Sequence, residues 1–121
     1  MRILVCEDNL ITLKTIAFSL AKKGHEVLKA EDGDQGIEFL DNENIDLLIT
    51  DINMPYTKGL ELVRYVNTQL ETKIPVIIIS GITLDETKDH AKELGAIGYL
   101  TKPFDPEVLI KMVQSIADKK K

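Results

Sequence analysis

The chain has 121 residues, 44% of them hydrophobic and 29% charged, and 15 basic against 20 acidic side chains leave a net charge of −5. That length holds one domain with one core, residues 1–121, and the acidic balance argues against direct nucleic-acid binding. No apolar stretch approaches the roughly 20 residues of a membrane span, no secretory h-region with a cleavage site is present, and the one cysteine cannot form an internal disulfide, so a cytoplasmic protein is expected.

The first apolar run lies in "LVCEDN", Leu4 to Asn9, and ends in two adjacent carboxylates, Glu7 and Asp8. Cys6 within it reads as a small buried hydrophobe. Asn9 is placed to cap a first helix with the apolar face Leu10, Leu13, Ala17 and Leu20, which closes at Lys22, Lys23 and Gly24. "HEVLKA" gives a second strand, followed by a short helix near Asp34 to Leu40 that Gly36 weakens. "IDLLIT" runs into Asp51, and Leu60, Val63, Val66 and Leu70 line a third helix. "IPVIIIS" ends in Ser80. Thr83 and Glu86 then have capping-box spacing for a fourth helix, but only Leu84, Thr87, Ala91 and Leu94 offer it an inner face, so it should be loosely held. "AIGYLT" leads to Thr101 and Lys102. Asp105 and Pro106 supply a cap and first-turn proline for a fifth helix, whose broad apolar face is Val108, Leu109, Met112, Val113 and Ile116. The closing run, Lys119 to Lys121, reads as a solvated tail. His25 and His90 read as strand-edge and helix-surface residues.

Five short apolar runs separated by stretches of helical length form five βα units. Runs such as Val76 to Ile79 are apolar without alternation, as in parallel strands covered on both faces. Right-handed connections put the carboxyl ends of such strands on one edge, where open α/β sheets bind ligands. Glu7, Asp8, Asp51, Ser80, Thr101 and Lys102 therefore converge. Singly they could be a cap, a turn residue, a loop serine and a surface lysine. Together, carboxylates about 4 Å apart repel by a few kcal/mol even at an effective dielectric near 20, and a divalent cation with Lys102 would compensate. Magnesium suits this oxygen set better than zinc, which prefers His and Cys.

The pair Glu7-Asp8, "DINMPYTKG" from Asp51 to Gly59, Ser80, Tyr99 and Lys102-Pro103 resemble the receiver domain of two-component response regulators, over essentially the whole chain. The resemblance implies a doubly wound (βα)5, flavodoxin-like fold with strand order 2-1-3-4-5. It implies that Asp51 accepts a phosphoryl group from a phosphohistidine of a sensor histidine kinase or phosphotransfer protein. Glu7, Asp8, Asp51 and the backbone carbonyl of Asn53 would hold Mg2+. Lys102 and Ser80 would contact the phosphoryl group, and Tyr99 would turn inward as Ser80 moves. The altered face of the fourth helix, fifth strand and fifth helix would then control a downstream effector, with the domain a monomer or a phosphorylation-dependent dimer. The resemblance also implies a cis bond at Lys102-Pro103. It implies a regulatory phosphoacceptor, catalysing only its own phosphorylation and dephosphorylation.

One departure stands beside Ser80. Gly81 occupies a position where alanine is common, and the missing methyl is expected to alter the lifetime of the acyl phosphate; Asn53 and Ile82 lie near the same opening. Two other readings use a parallel sheet. A phosphohydrolase of the haloacid dehalogenase type needs a second aspartate two residues after its nucleophile, whereas Asp8 is followed by Asn9 and Leu10. A flavin module needs a phosphate loop where Glu7 and Asp8 stand.

Overall fold

The computed structural model describes residues 1–119, so the expected tail over 119–121 lies largely outside the described residues. In chain order the elements are β1 (Arg2–Cys6), α1 (Leu10–Ala21), β2 (Glu26–Ala30), α2 (Gly33–Asn42), β3 (Leu47–Asp51), α3 (Gly59–Thr68), β4 (Val76–Ser80), α4 (Asp85–Leu94), β5 (Gly98–Thr101) and α5 (Pro106–Lys119). All strand pairs are parallel, in the expected order β2-β1-β3-β4-β5. The chain turns one way from β1 to β2 and the other way to β3, so the crevice between β1 and β3 is the switch point of the sheet.

Alternation along each strand builds two cores, one on each face of the sheet, rather than the one expected from length, because the central sheet separates its two helical layers. Ile3, Val5, Ile49, Ile77 and Ile79 meet Leu13, Ile16 and Leu20 of α1 and Leu109 and Val113 of α5. Leu4, Cys6, Leu48 and Ile78 point the other way, onto Leu40 of α2, Leu62, Val63 and Val66 of α3, and Ala91 of α4. β3 and β4 are buried at every position, which explains why their sequence shows no polar alternation. Each fully buried Leu or Ile contributes about 1.5–3 kcal/mol relative to exposure, which fixes strand register around the switch point.

Several helix details differ from the sequence reading. Asn9 does cap α1, accepting from the Thr12 amide at 3.1 Å, but Leu10 is half-exposed and Ile16 takes the core position instead. α2 starts earlier, with Asp32 as cap accepting from the Gln35 amide at 2.8 Å. Gly36 is a packing requirement there, because a Cβ would come within 2.8 Å of Cys6 Sγ. No capping box forms on α4: Leu84 is the cap residue, makes no side-chain cap bond, and is exposed. Only Ala91 of α4 is buried, so few apolar contacts hold this helix. Val108 of α5 also faces outward, leaving Leu109 and Val113 as its buried residues.

Candidate functional site

The carboxyl ends of β1, β3, β4 and β5 bring the acids, the lysine and the serine to one crevice. Glu7 directly follows β1 and is fully buried; Asp8, one residue on, is exposed. Asp51 is the last residue of β3 and only 7% exposed. Carboxylate oxygens of Glu7, Asp8 and Asp51 all lie within 4.8 Å of one another. Lys102, just past β5, reaches across from the other side: its Nζ donates to Asp51 Oδ2 at 2.8 Å and to Glu7 Oε1. The Lys102-Pro103 peptide bond is cis.

The charges do not balance. One ammonium faces three carboxylates, and Glu7 Oε2 is buried with no hydrogen-bond partner among the described residues. Burial is the largest influence on Glu7 and, with the neighbouring Asp51, pushes its carboxyl up to about 7 against the pull of Lys102. Burial lowers the Lys102 ammonium, but its hydrogen bonds to Asp51 and Glu7 outweigh this and raise it, so the lysine stays charged. An orphaned oxygen beside two further hard oxygen donors is a set that can hold a metal ion. Asn53 stands in the loop after β3, with its amide donating to Asp51 Oδ1 at 3.3 Å.

Ser80 ends β4 and is fully buried. Its Oγ accepts from the Ile82 amide at 3.1 Å, and the carbonyl of the same Ile82 accepts from the Tyr99 hydroxyl at 2.8 Å. Both peptide groups of Ile82 are thus tied, one to the site and one to β5. The Lys88 ammonium of α4 lies 5.7 Å from the centre of the Tyr99 ring, so the aromatic touches α4 as well. Thr101 ends β5 in register with Ser80 of β4. His25 pairs with the N-terminal amine at 3.1 Å and His90 is exposed on α4, both away from the acids. The sequence reading did not single out Ile82 as a link, since the groups that act are backbone atoms. Nor did it single out Asn67, whose Nδ2 donates from α3 to Leu94 O of α4 at 2.6 Å.

Chemically, a nearly buried carboxylate bonded to a lysine at the base of an acidic crevice can serve as a nucleophile towards phosphorus, with the Lys102 ammonium available to an oxygen of the incoming group. The sequence pattern of the response regulator receiver domain matches residues 3–114. Protein PilH of Pseudomonas aeruginosa is 37% identical over 116 residues, covering 95% of this chain and 96% of that protein. The transcriptional regulatory protein DltR of Streptococcus agalactiae is 36% identical over 115 residues, which cover 94% of this chain but 50% of that protein. The chain likewise spans about half or less of several other curated relatives. Among solved structures, the receiver domain of the Francisella response regulator 1452 superposes with a TM-score of 0.92 at 29% identity, covering 99% of this chain and 98% of that one.

Proposed function

The chain belongs to the response regulator receiver family, in which a phosphoacceptor role is general, and from that premise we propose that Asp51 is the phosphoacceptor and that residues 1–121 act as one receiver unit. The observation that carries this reading is the Asp51 carboxylate, nearly buried, bonded to Lys102 at 2.8 Å and ringed by Glu7 and Asp8. In the reaction an Asp51 oxygen forms a bond to phosphorus while the bond from phosphorus to the donor's imidazole nitrogen breaks; the ring takes the bonding pair and, with its other nitrogen already protonated, leaves as a neutral histidine, and Asp51 becomes an acyl phosphate. Lys102 orients Asp51 beforehand and meets a phosphoryl oxygen afterwards. The Ser80 hydroxyl donates to another. Magnesium fits the oxygen set of Glu7, Asp8, Asp51 and the Asn53 carbonyl, and when bound would supply the positive charge that the transferring phosphoryl oxygens need.

The same contacts suggest how the surface responds. When Ser80 turns to the phosphoryl group it gives up the Ile82 amide, which loosens the carbonyl that now holds Tyr99. Tyr99 then moves inward, and α4, with one buried residue, shifts at little cost. An effector that prefers the shifted α4-β5-α5 face gains by that difference in affinity and no more. For the donor, a sensor histidine kinase or phosphotransfer protein, this chain offers apolar surface along α1. Ile11 and Phe18 of α1 are exposed, and a groove of about 420 Å³ between α1 and α5 reaches Lys102. Among the described residues no helix is long and apolar enough to cross a membrane, and we place the domain in the cytoplasm, without direct nucleic-acid contact, as a monomer or a dimer formed on phosphorylation. Borohydride reduction of the phosphorylated protein followed by peptide mapping tests the acceptor. Homoserine at position 51 is expected; homoserine at position 8, or the hydroxynorvaline that a reduced glutamyl phosphate gives at position 7, would displace Asp51 from this role.

A further inference from the structure

Residues 53–58, in the loop joining β3 to α3, contain the one non-glycine residue with positive φ among the described residues, Tyr56 at φ 65. L side chains are disfavoured in that region by contact between Cβ and the backbone, and a ring that is 75% exposed recovers little by burial. The loop is therefore strained at Tyr56 and must be held from outside. Its C-terminal end is tied by the Gly59 amide, which donates to Ile52 O at 2.9 Å. Its middle is held by α2. The Gly33 amide donates to Pro55 O at 3.5 Å, and Thr57 O lies so close that a Cβ on Gly33 would sit 1.6 Å from it. The Thr57 hydroxyl donates to Asp34 Oδ1 at 2.6 Å. These contacts, at Pro55 and at Thr57, bracket Tyr56 on both sides. At its other end the loop carries Asn53, whose amide meets Asp51 Oδ1.

We propose that Asp34 is a positioning residue for phosphoryl transfer: through the Thr57 hydroxyl it holds loop 53–58 in the strained arrangement that keeps Asn53 beside Asp51. The proposal rests on the reading of Asp51 and Asn53 given above. Without the Thr57 contact, Tyr56 relaxes towards negative φ, the loop spreads over several backbone arrangements, and the metal and the donor each meet a site that must be reassembled. The α2 N-terminus thereby serves the reaction although it touches none of the reacting atoms. Asp34 is exposed and outside the acid cluster, so its loss leaves both cores intact.

The test compares the full chain with Thr57→Val, Asp34→Ala, Asp34→Asn and Thr57→Val combined with Tyr56→Gly. Asparagine retains an oxygen that accepts from Thr57, and glycine removes the strain. Titration with Mg2+ alone should show Kd raised about two- to tenfold in Thr57→Val and Asp34→Ala, the range of one lost hydrogen bond. Asp34→Asn should stay within about twofold of native, and Tyr56→Gly should recover at least half of the Thr57→Val loss on a logarithmic scale. The rate of phosphorylation by acetyl phosphate at saturating Mg2+ should return to within about twofold of native, separating misplacement from damage to the acceptor. In metal-free protein, amide hydrogen exchange across 53–58 should be faster in Thr57→Val. Native Mg2+ affinity in Thr57→Val, equal losses in the two Asp34 variants, or no recovery with Tyr56→Gly would each overturn the proposal. If the native chain binds no Mg2+ the functional reading fails, and exchange decides the clamp alone: faster exchange in Thr57→Val supports it, unchanged exchange overturns it.

Discussion

Replacing Glu7 by Gln separates what the acid cluster costs the fold from what it supplies to function. Glu7 is wholly buried, one oxygen bonds Lys102, the other has no partner, and carboxylate oxygens of Asp8 and Asp51 lie within 4.8 Å. Two unit charges at that separation repel by about 3 kcal/mol at an effective dielectric of 20. The Lys102 ammonium offsets part of this, and its 2.8 Å bond to Asp51 does not depend on the Glu7 charge. Glutamine preserves an oxygen for Lys102, removes one buried charge, and offers an N–H to a neighbouring carboxylate. Metal-free Glu7→Gln should therefore be more stable than native by about 1–3 kcal/mol at neutral pH. Magnesium at ten times its Kd stabilises the native chain by about 1.4 kcal/mol through mass action, and that increment should vanish in the variant. Urea denaturation in EDTA and in Mg2+ reads all four states. A variant less stable than native in EDTA, or one stabilised by Mg2+ as much as native, would refute the reasoning, because Glu7 would then be chiefly half of an ion pair.

Other expectations follow from single contacts. A Cβ at Gly81 would meet nothing within 4 Å, so Gly81→Ala should fold, gain about 0.4–1 kcal/mol through the unfolded chain, and slow loss of the phosphoryl group; equal dephosphorylation rates would remove Gly81 from the control of lifetime. Burial pushes the Cys6 thiol up to about 12, so a thiol reagent at pH 8 should label it only at the rate of global unfolding, and rapid labelling of native protein would show that β1 opens locally. Asn67→Ala removes the bonds from α3 to Val63 O and Leu94 O, at 3.1 and 2.6 Å, and should cost about 1 kcal/mol while speeding amide exchange in the last turn of α4. Unchanged exchange there would mean that Ala91 alone seats the helix.

Much of this was legible in the sequence because the relevant signals are local. The five apolar runs mark the strands, since a strand buried on both faces must be apolar throughout, and the acids, Ser80 and Lys102 immediately follow those runs. Topology alone then gathers them at one edge. The strand order came through resemblance to a known family, for nothing in the runs themselves says that β1 lies between β2 and β3. Helix faces were read less well at their ends. Leu10, Leu84 and Val108 fit the helical period but sit at the N-terminal ends of their helices, Leu84 as the cap residue, and stay exposed there. The contact of Thr57 with Asp34 joins residues 23 apart and left no pattern to read. Its strained neighbour Tyr56 leaves none either, since a tyrosine does not announce positive φ in the way that glycine does.

Asp51, as proposed, takes a phosphoryl group in a site that Mg2+ completes. Intact-mass measurement after incubation with acetyl phosphate, with Mg2+ or with EDTA, for the native chain and Asp51→Asn, tests it most directly. The account predicts one added phosphoryl group on the native chain in Mg2+, none in EDTA, and none on Asp51→Asn. An equal gain on Asp51→Asn, or no gain on native protein that binds Mg2+, would contradict it.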